Sequence, residues 1–199
     1  MTFPSATSEP LAIDTSTTAL VVIDLQKGIT SMPAAPHTAD DVIANAAKLA
    51  RACRAHQLPV VLVCVTLSAD GKDALQPIAD NRLQMKLPRP ADWAEFVPEL
   101  TPEPGDLIIT KRQWGAFHGT ELDLQLRRRK VETIILCGIS TNAGVESTAR
   151  FAYEYGYQQI FAEDACSARS TEDHVHTMKS IFARLGRVRK TAEILAALK

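Results

Sequence analysis

Three places in the chain carry residue types able to act on a small molecule. Asp24 closes the apolar run TALVVID at 18–24, and Lys111 stands directly after DLIIT at 106–110. The small-residue turn Gly138-Ile139-Ser140-Thr141-Asn142-Ala143-Gly144 joins the apolar run at 133–137 to a helical stretch at 145–155. A carboxyl group can move a proton and an ammonium can hold an anion. Free N–H groups where a strand turns into a helix can hold developing negative charge. Many α/β enzymes place a nucleophile on this kind of turn. Here the helix entrance offers no thiol or activated hydroxyl, and Gly144 stands where one is sought. Taken singly each signal is weak, because a strand-end Asp is usually a cap or loop residue and a strand-end Lys is usually solvated. The three in this order are far more specific.

Such a trio meets only if the strands that carry it end at one edge of a sheet. Apolar patterning predicts strands at 18–24, 59–66, 106–110, 131–137 and 158–163, with a short edge strand at 186–189. It predicts helices at 40–56, 119–129, 142–155, 170–184 and 191–198, the first capped by Thr38 with Asp41 three residues on. The alternation implies an α/β fold: three-layer α/β/α, with a six-stranded, mainly parallel sheet covered on both faces and ligands beyond the carboxyl ends of its strands. Residues 1–16 read as a flexible tail and 17–199 as one domain. Residues 68–104, rich in proline, are the least regular stretch, with short helical pieces expected near 73–79 and 91–98. A loop this long serves as a lid, a subunit contact or a substrate wall.

Composition narrows the class. The chain has 199 residues, 46% hydrophobic and 23% charged, with a formal net charge of −1. That balance gives no argument for nucleic acid or an anionic membrane as partner. The basic block Arg127–Lys130 falls at a helix end, where cations complement the dipole. No apolar run approaches the ~18 residues of a membrane span. The N-terminus lacks a basic-then-apolar signal pattern. Four cysteines, Cys53, Cys64, Cys137 and Cys166, are widely spaced without a CxxC, which fits a reducing cytoplasm.

The segments ALVVIDLQKGI at 19–29, TKRQWGAFHGTELDLQLRRRKVETIILCGISTNAGVESTARFAYEYGY at 110–157, EDACSA at 163–168 and RVRKTAEIL at 187–195 resemble the isochorismatase-like (cysteine) hydrolases. The resemblance spans about Thr17 to Leu198 and implies a Rossmann-like strand order. It implies a catalytic Asp, Lys and Cys at Asp24, Lys111 and position 144, and a cis peptide at Ile139–Ser140. With Gly144 in place of the cysteine, the covalent route used by the family's amidohydrolases closes. What stays open is vinyl-ether hydrolysis of the isochorismatase type. There Asp24 protonates the enol carbon, water adds, and Lys111 holds a substrate carboxylate. This needs the Asp24 pKa raised by burial against the pull of Lys111. The second strand end reads Val65-Thr66-Leu67-Ser68 where isochorismatases carry a glutamine, which tells against isochorismate itself. Two alternatives remain: an amidohydrolase using Cys166, and a non-catalytic ligand-binding protein.

The resemblance also implies a small-molecule substrate, no cofactor and a homo-oligomer, dimer or tetramer. The family's zinc-binding members carry D-x-H-x-H after the second strand. Nothing similar follows Thr66, so no metal is expected. Gln26, His118, Ile139 and Ser140 are candidate substrate contacts. Trp114 and Phe117 are expected to wall the pocket or else to serve as core or subunit contacts. His174 and His176 would point apart on a helix and read as solvated. Asp164 is expected to cap or brace a loop.

Overall fold

A computed structural model describes residues 10–80 and 89–198. The first nine residues of the expected tail, and residues 81–88 of the long loop, lie outside the described residues. The strands are β1 (Thr18–Ile23), β2 (Val60–Val65), β3 (Leu107–Lys111), β4 (Thr133–Ile139), β5 (Gln158–Ser167) and β6 (Arg187–Arg189). They form a six-stranded sheet in the order β3-β2-β1-β4-β5-β6. Every pairing is parallel. The helices are α1 (Lys27–Thr30), α2 (Ala39–Ala55), α3 (Leu122–Arg128), α4 (Glu146–Glu154), α5 (Thr171–His176), α6 (Ala183–Leu185) and α7 (Thr191–Ala197).

β1 is buried along its whole length, with no alternation, because a central parallel strand is covered on both faces. From β1 the chain crosses by α2 to β2 on one side; from β4 it crosses by α4 to β5 on the other. Right-handed crossovers in opposite directions put α2 and α4 on opposite faces. The strand order reverses between β1 and β4, and the crevice at such a switch point is where open α/β sheets hold ligands. Gly138 makes that junction tight. Its φ is +128°, and a Cβ there would lie 2.1 Å from the Ile23 carbonyl oxygen. Only glycine allows β4 to approach the end of β1 so closely.

α2 starts in a capping box: the Asp41 N–H donates to Thr38 Oγ1 at 3.1 Å, and the Thr38 N–H donates to Asp41 Oδ2 at 3.3 Å. Val42, Ala46, Leu49 and Cys53 line its buried face. No helix forms at 73–79. The stretch 91–98 consists of turns leading to a single 3-10 turn at Pro98–Leu100, as expected where prolines remove donors and fix φ. The predicted helix at 142–155 opens as a π-helical turn, Thr141–Val145, before α4. β5 runs past Glu163 to Ser167. Its register with β4 shifts between the Leu136–Phe161 and Gly138–Cys166 pairs, and Glu163 lies in that irregular stretch. Leu11 and Ile13, assigned from sequence to a loose tail, pack against the core. Among the described residues no helix is long and apolar enough to cross a membrane.

Candidate active site at the β1–β4 switch point

Asp24 follows β1 in the left-handed region, φ 53°, a conformation Asp tolerates better than most residues. Its N–H donates to the Val63 carbonyl at 3.0 Å, which ties it to the end of β2. Lys111 closes β3. Sequence alone favours a solvated strand-end lysine; instead Lys111 is 1% exposed and ranks among the largest fully buried side chains. Its Nζ donates to Asp24 Oδ2 at 2.8 Å and to the Trp114 carbonyl. Asp24 is 6% exposed, and its Oδ1 has no hydrogen-bond partner among the described residues. Burial raises the Asp24 pKa to about 6, outweighing the downward pull of the Lys111 charge and hydrogen bond.

Gly144 completes this centre. A Cβ built on it would stand 3.1 Å from Asp24 Oδ2, 3.2 Å from Lys111 Nζ and 3.0 Å from Ile23 Cγ2. The turn is held by the Ala143 and Val145 N–H groups, which donate to the Ser140 carbonyl at 3.1 and 3.2 Å. The Ile139–Ser140 peptide bond is cis. Thr148, not singled out from sequence, ties the turn to the loop after β3. Its Oγ1 donates to the Gly144 carbonyl at 2.7 Å and accepts from the Ala116 N–H at 3.1 Å. A Thr mid-helix bonding back to the carbonyl four residues earlier is ordinary, so only the long-range partner reveals its role.

The remaining candidates divide. Ile139 is buried at the junction, and Ser140 Oγ donates to Asn142 Oδ1 at 2.9 Å. Gln26 is fully buried and fully engaged. Its Nε2 donates to the carbonyls of Val65 and Ala94 at 3.0 and 2.9 Å, and its Oε1 accepts from the Val65 N–H at 2.8 Å. It is a brace between β1, β2 and the 92–96 segment rather than a free ligand group. Trp114 contributes its carbonyl, and the residue is 61% exposed. Phe117 takes the core alternative, packed on Tyr155 and Tyr157 with centroids at 5.4 and 5.7 Å. His118 is exposed. Cys166 is buried, and burial pushes its thiol well above the ordinary value. A hollow of about 510 Å³ beside the turn, lined by Asn142, Glu146 and His176 among others, touches neither Asp24 nor Lys111.

Of the two helical histidines, His176 is exposed and His174 is not. His174 is 1% exposed, where the sequence pattern favoured solvation of both. Its Nδ1 lies 2.9 Å from Thr141 Oγ1 and its Nε2 3.3 Å from Glu163 Oε1. His37 Nε2 lies 3.3 Å from the same oxygen. Lys190 pairs with the other oxygen of Glu163. Hydrogen bonding from His174, Lys190 and His37 holds the Glu163 pKa down at about 2, against the opposing effect of burial. Asp164 is a brace, as expected: its Oδ1 accepts from the Thr191 N–H and Oγ1, each at 2.7 Å, at the start of α7.

A parallel sheet reversing at β1/β4, with a buried carboxyl and ammonium beneath a strand-to-helix turn, defines an α/β protein with a buried ion pair at its switch point. The Isochorismatase domain model matches residues 18–193, and the chain belongs to the isochorismatase family. It is 52% identical over 188 residues to the uncharacterised isochorismatase family protein YecD of Escherichia coli O157:H7, covering 94% of this chain and 100% of YecD. It is 31% identical over 182 residues to the ureidoacrylate amidohydrolase RutB of Variovorax paradoxus, covering 80% of this chain and 72% of that one. The solved structure of an isochorismatase family protein from Burkholderia thailandensis superposes with a TM-score of 0.89 at 44% identity, covering 96% of this chain and 99% of that one.

Proposed function

We propose that the protein is a hydrolase acting on a small carboxylated metabolite by Asp24–Lys111 acid–base chemistry, without a cysteine nucleophile, with vinyl-ether hydrolysis as the favoured reaction. One observation carries the reading. A buried carboxyl whose pKa is raised to about 6 keeps one oxygen on an ammonium and the other without a partner among the described residues, beside a glycine rather than a thiol. An acid of that pKa is protonated in a useful fraction near neutrality and is still a good donor. In this mechanism Asp24 delivers its proton to the electron-rich carbon of an enol ether. The oxocarbenium carbon that results takes up water, whose proton returns to the Asp24 carboxylate, and the hemiketal collapses, releasing the alcohol and a ketone. Lys111 stabilises the carboxylate that Asp24 becomes, and holds its orientation through the Trp114 carbonyl. Gly144 leaves the space beside the pair to substrate instead of to a side chain.

The likeness to RutB favours a second reading, an amide-cleaving enzyme using a thiol elsewhere. All four cysteines are buried, and the candidate Cys166 has its thiol pushed up by burial, so it lacks the thiolate such chemistry needs. The deciding experiment is a turnover screen of carboxylated enol ethers beside ureido acids. Hits confined to the enol ethers support the proposal. Amide turnover that disappears when Cys166 is alkylated would refute it.

A further inference from the structure

His37, Glu163 and His174 lie outside the Asp24–Lys111 centre and have no part in its chemistry. They come from three elements: the residue before the α2 cap, the irregular stretch of β5, and α5. Their ligand atoms all lie within 4.8 Å of one another. The two rings meet edge-on, centroids 5.5 Å apart and planes at 85°, so that both Nε2 atoms converge on Glu163 Oε1.

The distances separate two explanations. A charge-assisted N–H···O bond to a carboxylate is normally about 2.7–2.9 Å. Both imidazole contacts are instead 3.3 Å, equal in length and aimed at a single oxygen. That length is poor for hydrogen bonding but close to the spacing between neighbouring ligands, roughly 3.3 Å, around a tetrahedral ion with bonds of ~2.0–2.1 Å. The far nitrogen of His174 is held by Thr141 Oγ1 at 2.9 Å. If Nδ1–H donates to that hydroxyl, Nε2 turns its lone pair toward Glu163, the outer-shell arrangement of metal-bound imidazoles. The segment carrying His37 is also fixed: its carbonyl accepts from Ser167 Oγ at 2.7 Å, and Ala35 forms a bridge with Ala168.

We propose that His37 Nε2, His174 Nε2 and Glu163 Oε1 form a binding site for a divalent transition-metal ion of the zinc type. Two imidazoles and one carboxylate suit borderline ions such as Zn²⁺ and Co²⁺ over Ca²⁺ or Mg²⁺, which favour oxygen-only shells. Three protein ligands leave a fourth position for solvent or an exogenous anion. Lys190 is the competitor. Its ammonium pairs with Glu163, and with its side chain 54% exposed it is free to swing into water when the ion enters. Through Thr141 the site adjoins the turn that carries Gly144, so an ion here would stiffen that turn without touching Asp24. This inference is independent of the hydrolase proposal.

The test is calorimetric titration of the chelator-treated full chain with zinc chloride in a non-coordinating buffer near pH 7.5. One ion per chain is expected, with affinity falling at least ~10-fold in His37→Gln and in Glu163→Gln. His176→Gln should leave binding unchanged, since His176 is exposed and outside the cluster. Lys190→Gln should tighten binding, because it removes the competing cation. A purely structural cluster would instead show a lower melting temperature in Lys190→Gln with no gain in zinc affinity. That result overturns the proposal. So does failure to take up stoichiometric zinc, or uptake indifferent to His37 and Glu163. Circular dichroism of each variant establishes that it is folded before titration.

Discussion

Two carboxyl groups that face a lysine, buried Asp24 and partly buried Glu163, are driven in opposite directions. Among the described residues Asp24 has one side-chain partner, Lys111, on one oxygen and none on the other, and its pKa rises to about 6. Glu163 has both oxygens engaged, by two imidazoles and a lysine, and its pKa falls to about 2. A cation beside a carboxylate does not settle its protonation. What decides is whether the bonds to the charged form replace the hydration that burial removes. One ammonium is too few at deeply buried Asp24, while at partly buried Glu163 the bonds from His174, Lys190 and His37 outweigh a smaller burial penalty. The first arrangement prepares a proton donor, the second a fixed negative charge.

The sharpest way to break the comparison is Asp24→Asn, which keeps the shape and removes the proton. On any substrate the protein turns over, kcat should fall ~10²–10⁴-fold with KM nearly unchanged, as expected when general acid catalysis is lost. Steady-state kinetics decide it, and near wild-type turnover would remove Asp24 from the chemistry.

Lys111→Ala should cost roughly 3–5 kcal/mol near pH 8, since it strands a buried carboxylate and opens a cavity. A strand-end lysine taken as solvated would have been dispensable, but its complete burial makes it structural as well. The loss should shrink at pH 5, where Asp24 is neutral, and the alkaline limb of the pH–rate profile should move up, because the charge that opposes protonation of the donor is gone. Urea unfolding at the two pH values measures the first effect; a cost that does not depend on pH would separate the lysine from Asp24.

The stability profile itself sharpens the contrast. The folded-state pKa of Asp24 lies above its ordinary 3.8. Its contribution is therefore fully present below pH 3.8 and lost as pH rises through about 6, roughly 3 kcal/mol in all. Glu163, lowered from 4.5, contributes above pH 4.5 and loses that contribution as pH falls toward 2. Asp24→Asn should flatten the loss between pH 4 and pH 6, and Glu163→Gln should flatten the acid side. Thermal melts across pH 2–8 read both slopes. If the two variants change the same limb, the contrast between the sites fails.

The smallest expected effect is that of a thiol-alkylating reagent on the native protein. All four cysteines are buried, and Cys53 is pushed up to about 12, so modification and loss of activity should both be slight. Gly144→Cys should change this. The new thiol would sit against Lys111 Nζ, which favours the thiolate, although neighbours must yield a few tenths of an ångström to admit its Cβ. Mass spectrometry should find position 144 modified first. An introduced thiol that resists the reagent would show that the space beside the pair is closed to a side chain.

The sequence by itself determined the elements and the edge at which chemistry gathers. Continuous apolar runs at 18–24 and 133–137, short and separated by helical stretches, read as buried strands of a parallel sheet. Residues at the ends of parallel strands, Asp24 after β1 and Lys111 closing β3, must then emerge at the carboxyl edge. These are local facts, carried by periodicity and by the handedness of crossovers. The helical pieces wrongly read at 73–79 and 91–98 mark where that signal is absent, in a proline-rich stretch whose turns are fixed by partners elsewhere. Tertiary structure alone decided the rest. Gln26 became a brace because Val65 and Ala94 met its amide, 39 and 68 residues away. His174 was turned inward by Thr141 and Glu163, and joined by a His37 separated from Glu163 by 126 residues. The sign of each carboxyl shift is likewise a sum of burial against bonds made across the fold. Neither term is written in the identity of the acid or of its sequence neighbours, because desolvation and long-range contacts exist only once the chain has closed on itself.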